Sequence, residues 1–185
     1  MGKFKNVILA LIVVALLVGY YFYLTNKQEV KEEVTISNVQ NLILRNLETD
    51  YPPTPKEVVK FYAELTKCVY NDTYSEEEYG LIVDQMLKMY DSELQEINPK
   101  EFYMLSLKEE VDNFRKDGKS IVSFTTSSST DVVTSIVNGD ECAKLYCTFV
   151  VRKAKKDAAS REIFELRKDA EGHWKILGFK LEEEQ

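Results

Sequence analysis

Val132–Arg152, VVTSIVNGDECAKLYCTFVVR, carries the clearest strand signature in the chain. Val132–Val137 is rich in β-branched residues, and Asn138–Gly139 is the dipeptide that a two-residue hairpin turn favours. Glu141–Arg152 then alternates in polarity. Ala143, Leu145, Cys147, Phe149 and Val151 fall on one face; Cys142, Lys144, Tyr146, Thr148, Val150 and Arg152 fall on the other. A period of two over this length predicts a half-buried strand, and the turn gives it an antiparallel partner.

Downstream, the charged Lys153–Ser160 stretch KAKKDAAS reads as a loop, and Arg161–Lys168 as a strand with Phe164 and Leu166 on one side. Asp169–Ala170–Glu171–Gly172 turns the chain into a last strand, His173–Leu181. Upstream, Ser120–Thr126 is a further strand, joined to Val132–Val137 by the polar bend Ser127–Asp131. Ahead of Gly118 the period becomes helical. Ser37 with Gln40 forms a capping box for a helix over Asn38–Glu48, with Val39, Leu42, Ile43 and Leu47 as its apolar positions. Thr54, Pro55 and Glu57 cap the strongest helix, whose stripe is Val58, Phe61, Tyr62, Leu65, Cys68 and Val69, with Lys56, Lys60, Glu64 and Lys67 opposite. Ser75 with Glu78 opens the next, striped by Tyr79, Ile82, Val83, Met86, Leu87 and Tyr90. Ser92–Ile97 adds a turn. Asn98–Pro99–Lys100–Glu101 starts a last helix with Phe102, Leu105, Val111 and Phe114 apolar, ending at Asp117–Gly118. Helices first and an antiparallel meander second is the α+β layout.

That order, the terminal hairpin Phe164–Glu165–Leu166, Asp169–Gly172, Trp174–Lys175–Ile176 and Phe179, and the lead-in Tyr51–Pro52–Pro53–Thr54–Pro55 resemble the nuclear-transport-factor-two-like (cystatin-like α+β cone) superfamily. The chain is also similar to a group of small, singly membrane-anchored bacterial proteins. The resemblance spans about residues 54–181 and implies helices packed into the concave face of a curved antiparallel sheet. Such a cone would have a pocket lined by Phe61, Tyr62, Leu65, Leu145, Phe149 and Phe164. It implies no activity, because the superfamily hosts isomerases, dehydratases, binding modules and assembly subunits alike.

A different signal lies at the N-terminus. Val7–Leu24, VILALIVVALLVGYYFYL, contains no charge, and only Gly19 is outside the hydrophobic set. As a helix it spans roughly 27 Å, close to the thickness of a bilayer core. The run exceeds a signal-peptide core, no small-residue cleavage site follows it, and Tyr20–Tyr23 suits an interfacial belt; it therefore reads as a retained transmembrane helix. Lys3 and Lys5 place the N-terminus inside by the positive-inside rule. The expected organisation is a cytoplasmic stub and anchor over 1–25, a juxtamembrane tether and short helix over 26–53, and an exported α+β cone domain over 54–185. The domain would sit outside the cytoplasmic membrane of a single-pass protein.

Composition narrows the chemistry. The 185 residues hold 24 Lys plus Arg against 31 Asp plus Glu, a net charge of −7, which argues against a nucleic-acid binder. With 7 Gly, 3 Cys and 1 His, the chain offers little for phosphate cradles, metal sites or cofactors, and none is expected. His173, beside a turn glycine, reads as a solvated strand-start residue. Cys68 and Cys147 fall on apolar stripes, so a Cys68 disulfide to Cys147 or Cys142 and two buried thiols both remain open. The apolar strand faces offer no carboxylate or imidazole, and the polar groups able to reach the interior are the hydroxyls of Tyr62, Tyr79, Tyr90 and Tyr103. No catalytic residue is assigned. The expected role is a binding or envelope-assembly module, partnered by the membrane through Val7–Leu24 and by an envelope protein. In architecture this resembles the anchored assembly factors of type IV secretion systems. The alternative is a small-molecule enzyme or lipophilic-ligand carrier using the cone pocket.

Overall fold

A computed structural model describes residues 37–182. Val7–Leu24 and most of the tether lie outside the described residues, among which no helix is long and apolar enough to cross a membrane. The helices are α1 (Asn38–Ile43), α2 (Pro55–Asn71), α3 (Glu76–Lys88), α4 (Ser92–Ile97) and α5 (Lys100–Lys116). The strands follow as β1 (Lys119–Thr126), β2 (Val133–Val137), β3 (Asp140–Lys153), β4 (Lys156–Lys168) and β5 (Trp174–Leu181), with a short 3-10 turn, Ser129–Asp131, between β1 and β2. The fold is α+β, with helices against an antiparallel sheet.

Local chemistry accounts for the helix starts. The hydroxyl of Thr54 accepts the Glu57 N–H ahead of Pro55, and Ser37–Gln40 and Ser75–Glu78 form reciprocal capping boxes. Two boundaries differ from the sequence expectation. α1 stops at Ile43 rather than Glu48, because the Asn46 side chain accepts the Glu48 N–H and makes a turn there instead. Gln85 of α3 then donates to the freed carbonyls of Ile43 and Arg45 at 3.0 and 2.7 Å. At α5 the side chain of Asn98 caps nothing and donates back to the Leu94 carbonyl, and Pro99 takes the cap position.

The sheet is ordered β1-β3-β4-β5, with β2 also paired to β3. β1 pairs with Cys147–Lys153 and β2 with Asp140–Lys144, so the two strands share one edge of β3 in succession. Ser127 bridges the break, its backbone N–H donating to the Tyr146 carbonyl and its Oγ accepting the Tyr146 N–H, both at 2.9 Å. The Lys153–Ser160 stretch is a correction. It is a two-residue turn at Ala154–Lys155 followed by the first residues of β4, which pairs with β3 from Lys153↔Lys156 to Cys142↔Arg167. The segment is exposed on both faces and carries no apolar alternation, so only its pairing reveals it as strand.

α2 lies between the sheet and the other helices. Val58, Phe61, Tyr62, Leu65, Cys68 and Val69 are buried as their spacing predicts, and Val59 and Ala63 are buried on the other flank. Burying one such aliphatic side chain contributes about 2 kcal/mol. On α5 the apolar stripe is shifted. Leu107 and Val111 are buried, whereas Phe102 and Leu105 are 65% and 70% exposed. The α5 face turned inward is the one that carries Met104, whose carbonyl accepts the Tyr79 hydroxyl and whose methyl comes up to Gly80 of α3.

Candidate functional site

The helix-covered face of the sheet brings together the six side chains expected to line a pocket. Phe61, Tyr62 and Leu65 descend from α2, Leu145 and Phe149 rise from β3, and Phe164 rises from β4; none is more than 4% exposed. Tyr62 meets the Phe164 ring edge-on at 5.7 Å and the Phe179 ring at 5.5 Å. The Phe61 ring carries the Arg45 guanidinium at 4.6 Å, and all six side chains are closed to solvent.

Polar groups enter this face along one side. The Tyr62 and Tyr90 hydroxyls are 3.0 Å apart, and Tyr90 donates to Tyr103 at 3.0 Å, a chain of three phenols from the core toward the surface. Tyr79, also expected to reach the interior, is spent on the Met104 carbonyl at 2.7 Å. Burial first, and the neighbouring phenols next, hold Tyr62 well above the ordinary tyrosine range.

Glu162 stands two residues before Phe164 and so shares its face, opposite Cys147 in the β3–β4 ladder. It is half-buried. Burial, and then the charge of Glu110 on α5, push its carboxyl up to about 7. Glu110 itself accepts the Tyr70 hydroxyl at 2.5 Å. Burial and then the Glu162 charge push the Cys147 thiol up to about 12. Glu162 and Glu110, the Tyr70 phenol and the Cys147 thiol are therefore within electrostatic reach of one another in part: Glu110 and Glu162 act on Tyr70, and Glu162 acts on Cys147. A half-buried carboxyl that titrates near neutrality can hold or release a proton at physiological pH. The sequence reading, which found no carboxylate on this face, missed Glu162. Continuing the period of two backward from Phe164 reaches it, but a Glu at the start of a strand reads as its solvated end.

The remaining candidates are structural. Cys68, Cys142 and Cys147 are free thiols, and burial and then Asp72 push Cys68 up to about 12, so it serves as a small apolar side chain. His173 packs against Tyr51 with the rings tilted by 34° and their centroids 4.5 Å apart, and lies 3.8 Å from Asp169 and 3.5 Å from Glu171. Asp169, Glu171 and His173 bring three potential ligand atoms within 4.8 Å of one another. However, Oδ1 of Asp169 accepts the backbone N–H groups of Glu171 and His173 at 3.0 and 2.8 Å, and Lys175 stands 3.9 Å from its Oδ2. The carboxylate closes a turn, and a neighbouring ammonium already meets its charge. On the opposite face of the sheet a shallow polar groove of about 400 Å³ runs past Thr125, Ser128, Tyr146 and Arg161, with the guanidinium of Arg161 4.0 Å above the Tyr146 ring.

A family model described as "Domain of unknown function (DUF6715)" matches residues 1–179. No curated protein matches the chain.

Proposed function

Since the chain belongs to the DUF6715 family, whose description assigns no activity, we propose from its own residues that it is a binding or envelope-assembly module. In this reading Val7–Leu24 is a single-pass anchor, the N-terminus is inside, and the α+β domain stands outside the cytoplasmic membrane in a nuclear-transport-factor-two-like cone. The observation that carries the reading is the filling of the helix-covered face. Phe61, Leu65 and Phe149, at 3%, 0% and 4% exposure, are closed to solvent, whereas an enzyme or carrier needs an accessible cavity among its lining residues. The uncharged run Val7–Leu24 and its flanking Lys3 and Lys5 support the anchor.

In-cell cross-linking followed by pull-down of the intact protein from detergent-solubilised membranes is the test. A partner recovered together with the full-length protein is expected. Consistent recovery alone as a monomer overturns the module reading, and release from membranes at a mass reduced by about 2 to 3 kDa overturns the anchor.

Glu162 favours a second reading, a small-molecule enzyme or lipophilic-ligand carrier acting on the same face. A fluorescent fatty acid would then bind the intact protein more weakly as the pH rises through about 7, where Glu162 ionises. Glu162→Gln would remove that dependence. No binding on either side of the transition removes this reading.

A further inference from the structure

β2 differs from the other described strands in that all five of its residues are exposed, Val133, Ile136 and Val137 at 63%, 68% and 49%. It pairs with β3 on one side, and among the described residues no strand pairs with its other side. Asn138 and Gly139, at φ +53° and +97°, close a two-residue turn on the Val137–Asp140 pair. That pair is the hydrogen-bonded kind in such a hairpin, and the antiparallel ladder alternates from it. Val137, Ser135 and Val133 therefore direct their backbone groups at β3, while Ile136 and Thr134 direct theirs outward.

Two N–H donors and two carbonyl acceptors thus stand along a free edge. Proteins commonly block such an edge with a lysine, a proline, a bulge or an inward charge. VTSIV has no charge and no proline, and its register with β3 is unbroken. The charges that flank it along the chain are acidic, and Lys144, opposite Val133 on β3, is paired with Glu165 at 3.3 Å. Asp131 precedes the strand, and Asp140 and Glu141 follow the turn, all exposed. Glu141 is paired with Lys168 at 3.0 Å, whereas the Arg167 guanidinium, 3.8 Å from Asp140, is held at 2.6 Å by Asp91. A second copy laid antiparallel on this edge would set Asp131 beside Asp140 at both ends, a repulsive arrangement.

We infer that the free edge of β2 is a docking strand for an extended partner segment of alternating β-branched residues flanked by Lys or Arg, added as a further strand of the sheet. The backbone groups of Thr134 and Ile136 supply the main-chain bonds, the exposed Val133, Ile136 and Val137 supply apolar contacts on both faces, and the acidic flanks select the ends. This names the partner chemistry of the module proposed above and rests on that reading.

The test uses intact protein in detergent micelles with two synthetic peptides, KVTVTVK and EVTVTVE. KVTVTVK is expected to slow amide hydrogen exchange at Thr134 and Ile136 at least about tenfold, and EVTVTVE to bind about tenfold more weakly at low salt. Ile136→Pro deletes an outward N–H without touching the ladder to β3, and Ile136→Lys adds a blocking charge; each abolishes the protection while the protein stays folded. Unchanged exchange at saturating KVTVTVK, binding that survives both variants, or a dimer dispersed by Ile136→Pro overturns the inference. If a partner co-purifies equally with the Ile136→Pro protein, the docking strand fails while the module reading stands. If the intact protein is always recovered alone, the module reading fails instead.

Discussion

Asp91 is 5% exposed, and Arg167 reaches it in a two-pronged contact, Nη2 to Oδ1 at 2.6 Å and Nε to Oδ2 at 3.1 Å. Burial acts to raise the Asp91 carboxyl, but the hydrogen bonds from Arg167 and from the Glu93 N–H outweigh it and hold it below the ordinary range. Its contribution to stability is therefore present above the ordinary aspartate range and lost as pH falls through the folded value. Arg167→Ala strands this carboxylate. A loss of about 3 kcal/mol is expected in urea unfolding at pH 7, and a loss under about 0.5 kcal/mol would show the pair to be incidental. Glu162 has the opposite sign. With its carboxyl pushed up to about 7 against an ordinary 4.5, the folded protein binds the extra proton, and stability falls as pH rises between those values. Glu162→Gln should flatten that slope and raise stability at pH 8 by on the order of 1–3 kcal/mol. A slope that persists in Glu162→Gln assigns it to another group. Neither residue was legible beforehand. Arg167 alternates with Phe164 and Leu166 on the other side of the strand, and nothing in its neighbours indicates a partner 76 positions away.

At the level of elements, α2 and α5 separate pattern from packing. α2 has a full cap, a continuous apolar stripe and a place between two layers, so its sequence and its burial agree. Leu65→Ala should cost about 3–4 kcal/mol. α5 carries charges on most of its circumference, and two apolar sets compete for the inward face. Phe102 and Leu105 are spaced as well as Met104 and Leu107, yet the second set faces inward because Tyr79 and Gly80 of α3 receive Met104. Phe102→Ser should thus change stability by less than about 0.5 kcal/mol in the same urea assay. A loss comparable to that of Leu65→Ala would overturn the exposed placement of Phe102. Among the strands, Lys156–Ser160 shows the same limit. A ladder of backbone hydrogen bonds to β3 makes it a strand, and that bonding leaves no mark on an exposed, charged sequence.

On the scale of the molecule, the buried cluster from Val39 to Ile176 is built within residues 37–182. A fragment from Ser37 to Gln185 is therefore expected to fold cooperatively without detergent, with a dispersed amide spectrum and a single thermal transition. A collapsed, non-cooperative product would mean that the domain depends on the preceding segment. The sequence by itself determined the division into helices then antiparallel strands, the caps at Thr54 and Ser75, the Asn138–Gly139 hairpin and the apolar faces of α2 and β3. Each of these is written in residues a few positions apart, where backbone sterics, capping and periodicity act. Only the tertiary structure decided that the six expected pocket residues pack shut, that Glu162 joins them on the covered face, and that β2 is left with an open edge. Those outcomes depend on which distant surfaces meet and how completely they fill the space between them; the period of two gives the face of Glu162 but not its burial, and no local period gives the other two.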